Sequence, residues 1–301
     1  SPAKTGLPPR PPFPGLGREF VDLYGSLGDT SHYLFRFGFG GMRERIERSD
    51  VLLVGSSHVA FGLSAEQLSR SLSERKGRPI RVYNMGTQQG EGSRFAAEAL
   101  ARGGIGGKAV VLDLFHFELF PAMTGFANRV LRSDRLVGAV AVGQIETGFA
   151  RDWLLDPWPC IRVERDGRVR VARRLDYTLV RSLDSGDTVY FWAPDRGFLF
   201  PTAAKTWVID PEDAGAWTML ANRGLSLAPG TVDRLKQRHD ALFATVIPYP
   251  GSARATLPAL PCPLLPLRNE GLRTFDGSHL TPEGRRQATE ELAERLAPLL
   301  P

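Results

Sequence analysis

The apolar positions of this chain change period along its length, and each change marks a change of architecture. Val51-Leu52-Leu53-Val54 is a continuous apolar run, as expected of a strand buried on both faces. Ser64-Ala65-Glu66-Gln67-Leu68 opens a helix lasting to about Arg75, with a serine cap and a glutamine three residues later. Ile80 to Tyr83 predicts a second strand, Gly90 to Gly103 a second helix, and Ala109 to Leu114 a third strand. This β-α-β-α-β series predicts an α/β fold, three-layered α/β/α with a mainly parallel sheet. In such a fold the functional groups collect at the carboxyl ends of the strands.

From about Trp153 the period falls to two. Ile161 to Val171 alternates apolar and charged residues around Asp166-Gly167, the signature of a hairpin. Aromatic, turn-rich sequence follows, including Tyr190-Phe191-Trp192 and Phe198-Leu199-Phe200, so a partly antiparallel insertion is expected at about 153–225. Thr231 to Leu242 then predicts a helix and Ala244 to Pro248 a strand. Thr281 to Leu299 predicts a terminal helix with threonine at its N-cap and proline in its first turn. Ahead of the series, Gly17 to Asp50 reads as helical pieces broken by Gly38, Gly40 and Gly41. One domain is expected over 17–301, preceded by a proline-rich linker over 1–16 that resembles what remains after removal of an upstream signal peptide or membrane anchor.

Length and composition leave that picture intact. With 301 residues, 42% of them hydrophobic and 24% charged, the chain can bury a full core and is neither disordered nor fibrous. The net charge of +5 comes largely from arginines interleaved with acids, as in Arg43-Glu44-Arg45-Ile46-Glu47-Arg48, which reads as a solvated helix face rather than a nucleic-acid patch. The longest apolar candidate for a membrane span, Leu136 to Ile145, is too short and contains glycines. Cys160 and Cys262 are too few for a disulfide scaffold and lack zinc-site spacing. They are either a single long-range bridge, which would suit an oxidising compartment, or two unrelated buried thiols.

The candidate chemistry lies at the two ends. The first apolar run stops at Gly55-Ser56-Ser57-His58, where a serine is delivered to the start of a helix. Near the carboxyl end, Asp276-Gly277-Ser278-His279 places an acid three residues before a histidine, just ahead of the final helix. A serine hydroxyl becomes a nucleophile when a base takes its proton, and the base works best when a third group fixes its tautomer. Ser57, His279 and Asp276 supply those three roles. Taken singly, each has a structural role as well: Ser57 as a helix cap, Gly86 as a turn glycine, Asp276 as a partner of local amides, His279 as a loop histidine. Order and placement along the strand series favour the joint reading.

From residue 50 onward, the insertion excepted, these residues resemble the SGNH (GDSL-like) hydrolase superfamily. The resemblance makes Ser57 the nucleophile, aligns Asn84-Met85-Gly86 with the family's second block, and matches Asp276 and His279 to its late Asp-x-x-His. It implies an oxyanion hole built from the Ser57 and Gly86 amides, with His116 in the place of the family's asparagine. Ser56 stands where the family has aspartate, and Leu112-Asp113-Leu114-Phe115-His116 replaces its Gly-x-Asn-Asp. The chain is thus more similar to divergent members linked to acylation of cell-surface polysaccharide. That resemblance implies serine-dependent O-acyl transfer, with acetyl as the expected group, on a polysaccharide or oligosaccharide outside the cytoplasm. A bacterial periplasm and a membrane-bound acyl-donor partner go with it. Plain esterase action and a non-catalytic carbohydrate-binding or assembly role on the same fold are the alternatives.

His58, Asn84 and Trp192 are candidate substrate contacts, and Trp192, Trp207 and Trp217 are candidate sugar-stacking platforms that equally suit a core. No cofactor is expected. Gly55 to Gly62 lacks the second glycine of a dinucleotide fingerprint and no Gly-Lys-Ser/Thr follows, while Asp113, His116 and His279 lack the spacing of metal ligands on one element.

Overall fold

The computed structural model describes residues 20–22, 24–25, 28–87, 92–114, 125–140, 160–163, 169–172, 177–192, 207–208, 231–249, 261–274 and 278–301. In chain order the elements that build the centre are α1 (Thr30–Phe37), α2 (Met42–Glu47), β1 (Val51–Val54), α3 (Ser57–Gly62), α4 (Ala65–Lys76), β2 (Val82–Asn84), α5 (Gly92–Gly103) and β3 (Ala109–Asp113). They continue with α6 (Gly125–Arg132), α7 (Thr231–Arg238), β4 (Ala241–Val246), β5 (Leu264–Pro266) and α8 (Pro282–Leu296).

The five strands form one sheet in the order β5-β4-β3-β1-β2, and every pairing in it is parallel. Because side chains alternate across a strand, the apolar runs feed two cores. Leu52, Val54, Val110, Leu112, Leu242 and Ala244 face one side with residues of α1, α2, α5, α6 and α7. Val51, Leu53, Val111, Phe243 and Leu265 face the other with residues of α3, α4 and α8. A sheet buried on both faces explains why these strands read as unbroken apolar runs rather than as alternating ones.

The chain leaves β1 for β2 on one side and then crosses to β3 on the other. Strand order therefore reverses between β1 and β3, and the crevice outside their carboxyl ends is where open parallel sheets place their ligands. Ser57 follows β1 directly at that point.

Several boundaries differ from the sequence expectation. The helix expected to reach Leu242 ends at Arg238, and β4 starts at Ala241. Val232, Leu235, His239 and Leu242 keep a helical spacing, but Leu242 is buried from a strand rather than from a helix. β5 was not expected at all; it is an edge strand paired only to β4, the place in a sheet where proline is tolerated. The region before residue 50, expected as glycine-broken helical pieces, begins with extended segments, and Phe20–Asp22 pairs antiparallel with Tyr177–Ser182, which pairs in turn with Thr188–Trp192. Cys160–Val163 pairs antiparallel with Val169–Ala172. Cys262 is a free, half-buried thiol packed against the first core rather than one end of a bridge to Cys160, and burial pushes its pKa up. The Cys160 side chain lies outside the described residues.

His239, directly after α7, is 8% exposed, and neither ring nitrogen meets a partner among the described residues. Burial pushes its pKa below the ordinary histidine value. The unfolded chain therefore takes up the proton first, and the folded state loses stability as pH falls below about 6.5, the value expected for an unfolded histidine. His239→Phe should give a shallower decline in the urea midpoint between pH 7 and pH 5.5 than the parent shows. Parallel declines would assign the pH dependence to other groups.

Candidate active site

β1 ends at Val54, just before Gly55, and Ser56 caps the helix that follows, its hydroxyl accepting from the His58 amide at 3.2 Å. Ser56 thus does the work of an N-cap. It leaves Ser57 as the first residue of α3, with an amide that has no acceptor within its own helix.

The other half of the site comes from the loop before α8. Thr274 bridges Leu280, and the Thr281 amide donates to the Arg273 carbonyl at 2.8 Å, closing the base of that loop. Trp207–Val208 pairs with Arg273–Thr274 beside it. Thr281 caps α8 by accepting from the Gly284 amide at 3.2 Å, and Pro282 occupies the first turn. The loop so held brings His279 Nε2 to 2.8 Å from Ser57 Oγ. With Nε2 unprotonated the hydroxyl donates to it, which is the geometry a general base needs. Ser57 and His279 are half-exposed, whereas Ser56, His58, Val59 and Ala60 around them are buried.

A second pair lies beside the first. His58 Nε2 is 2.8 Å from Ser278 Oγ, so the dipeptides Ser57-His58 and Ser278-His279 are cross-paired. The His58 and His279 rings meet edge to face at 5.1 Å, and Phe61 meets His279 in the same way at 5.1 Å. Tyr249 is 5.5 Å from His58 on the buried side, its phenol held above the ordinary tyrosine range by burial and by the Asp113 carboxylate. Ser278, Phe61 and Tyr249 were not singled out from the sequence. The mirrored Ser-His dipeptides were the one available signal for Ser278.

Three residues expected at the site are engaged within the fold. The Gly86 amide donates to Asn84 Oδ1 at 2.9 Å. Gly86 also acts through closeness: a Cβ there would lie 2.4 Å from the Ala60 nitrogen, so a glycine is what lets this loop touch α3. Asn84 is fully buried and donates to the Val59 and Leu63 carbonyls, both at 3.1 Å, which ties β2 to α3 rather than to a substrate. His58, 2% exposed, holds Ser278 rather than lining an open surface. Asp276 and His116 lie outside the described residues, as do Trp217 and the side chains of Trp192 and Trp207. Among the described residues no three His, Cys, Asp or Glu groups are disposed to hold a metal ion, and no helix is long and apolar enough to cross a membrane.

Comparison with protein-family models, with curated proteins and with solved structures gave no match.

Proposed function

We propose that this chain is a serine-dependent O-acyl transfer enzyme of SGNH-like type, acting on a cell-surface carbohydrate outside the cytoplasm, with acetyl as the acyl group. The observation that carries the reading is the 2.8 Å contact between Ser57 Oγ and His279 Nε2 at the carboxyl end of β1. In the first half-reaction Ser57 Oγ attacks the acyl carbon while its proton passes to His279 Nε2, and the negative charge collects on the former carbonyl oxygen beside the Ser57 amide. The carbonyl re-forms, the bond to the leaving oxygen breaks, and that oxygen takes the proton from Nε2. In the second half the acceptor oxygen attacks the acyl carbon as its proton passes to Nε2, and the bond to Ser57 Oγ then breaks with that proton returning to Oγ. Water as acceptor makes an esterase, and a sugar hydroxyl held at high effective concentration makes a transferase. Asp276 is the group proposed to orient His279, and a membrane-bound donor is the proposed source of the acyl group.

A second reading has its own support. The engagement of the Gly86 amide by Asn84 removes one donor from the expected oxyanion hole, which favours a carbohydrate-binding or assembly protein on the same fold. A fluorophosphonate separates the two, because only an activated serine reacts with it. Stoichiometric labelling mapped to Ser57 is the expected result, followed by mass gain of one acetyl group on a surface-polysaccharide fragment incubated with enzyme and an activated acetyl ester. An inert Ser57 would select the binding protein, and labelling with hydrolysis but no acetylated sugar would select the esterase.

A further inference from the structure

Among the described residues the largest fully buried side chain is charged. Arg181, 0% exposed, comes from the middle strand of the antiparallel unit and reaches the loop after β2. Its Nε donates to Ser31 Oγ at 2.8 Å, and its Nη1 and Nη2 donate to the carbonyls of Asn84, Gly186 and Gly86. The guanidinium also lies over the Phe35 ring, 5.2 Å from its centroid. The two peptide groups of the β2 loop whose carbonyls it holds are gripped at their other ends: the Met85 amide donates to Leu53 O at 2.8 Å and the Thr87 amide to Gly55 O at 3.0 Å. A continuous path of hydrogen bonds therefore runs from the guanidinium through residues 84–87 to the end of β1, two residues before Ser57. A cation on a peptide carbonyl polarises the amide across the same bond and strengthens what it donates.

The turn that follows Arg181 in sequence holds the remaining parts. Gly186 has φ +72°, and a Cβ on it would fall 2.2 Å from Asn84 O, so this turn lies directly on β2. Asp187, 5% exposed, accepts from Ala65 N at 2.7 Å and from Ser64 Oγ and Glu66 N, both at 3.0 Å, just beyond the Ser57 helix. The same carboxylate lies 3.0 Å from Arg285 Nη2 on α8, six residues after His279. One turn of the antiparallel unit is thereby bonded to the start of α4, which directly follows the Ser57 helix, to the loop after β2 and to the helix that follows His279.

We propose that Arg181 and Asp187 are positioning residues that set His279 against Ser57, making the antiparallel unit part of the machinery rather than only a wall beside it. This rests on the Ser57–His279 reading. The test uses the full chain with Arg181→Met, Arg181→Lys and Asp187→Asn, measured well below each variant's unfolding temperature and normalised to folded protein. Arg181→Met and Asp187→Asn should lower kcat for an acetyl ester, and the rate of fluorophosphonate labelling, about 10²-fold with KM little changed, the scale expected when reacting groups are misplaced by about an ångström. Arg181→Lys, which keeps the charge but not the fork, should recover part of the loss. The ring-nitrogen NMR signals of His279 should move toward those of an unbonded imidazole in the first two variants. Folded variants with parental kcat and an unmoved His279 would overturn the proposal. Parent protein inert to the phosphonate would overturn the catalytic reading instead, and the His279 signals alone would then decide whether the two residues position it.

Discussion

Ser57→Ala and His279→Ala are each expected to abolish turnover of a small acetyl ester, with a loss on the order of 10⁶-fold in kcat, the scale on which removal of a triad serine or histidine registers. The two losses should not add, because nucleophile and base act as one unit across the 2.8 Å contact. Ser57 is half-exposed and its hydroxyl caps nothing, so alanine there should leave the fold intact. His279 packs against the rings of His58 and Phe61, and its removal should lower the melting temperature modestly as well. Asp276→Asn should cost less, about 10⁴-fold, as expected when the acid that fixes the tautomer is neutralised. Turnover unchanged in a well-folded Ser57 or His279 variant would remove the nucleophile-base assignment.

Gly86→Ala carries the second large effect, and its direction separates two roles for this glycine. If Gly86 mattered only for its amide, alanine would be harmless, since the new residue keeps the N–H that Asn84 Oδ1 accepts. The added Cβ would instead lie 2.4 Å from Ala60 N and 2.9 Å from Ala60 Cα, and these are helix backbone atoms that cannot rotate away. Overpacking of this kind costs about 1–3 kcal/mol. α3 must shift to relieve it, and Ser57 shifts with it. Gly86→Ala should therefore lower both the urea midpoint and the labelling rate of Ser57, whereas Ala60→Gly combined with it should restore neither, because the clash is with the backbone. A Gly86→Ala protein as stable and as reactive as its parent would show that the loop and helix are not in contact.

The sheet was legible where burial is two-sided. Val51–Val54 and Ala109–Asp113 are apolar without interruption because helices cover both faces, a pattern that burial on one face alone does not produce. Pairing Ser57 with His279 was legible for a different reason: strand order carries one residue to the carboxyl edge, and a helix cap sets the other just ahead of α8. Leu264–Pro266 was hidden by Pro261, Pro263 and Pro266, which read as loop although an edge strand admits them. Arg181 was hidden more deeply. In Tyr177-Thr178-Leu179-Val180-Arg181-Ser182 it is one polar residue in a strand, and Asp184-Ser185-Gly186-Asp187 is ordinary turn composition. Nothing local tells that a guanidinium will reach the carbonyl of a residue 95 positions away. Asn84 and Gly86 stand out in the sequence, but the contacts that tie them to α3 are not legible there.

The separation of 222 residues between Ser57 and His279 has a consequence for how the protein comes into being. During synthesis β1, α3, β2 and β3 can assemble while the segment bearing the base is still absent, so a partly made or carboxyl-terminally clipped chain carries a serine that is an ordinary alcohol. On the proposed reading, reactivity would arrive only when α8 docks onto α4 and the crossed Ser-His pairs close. The crossed pairing also favours one register for that docking, since a slip of one residue would set imidazole against imidazole in one direction or hydroxyl against hydroxyl in the other. A reactive Ser57 would thus be a marker of a finished chain, and its appearance during refolding would time the last long-range contact to form.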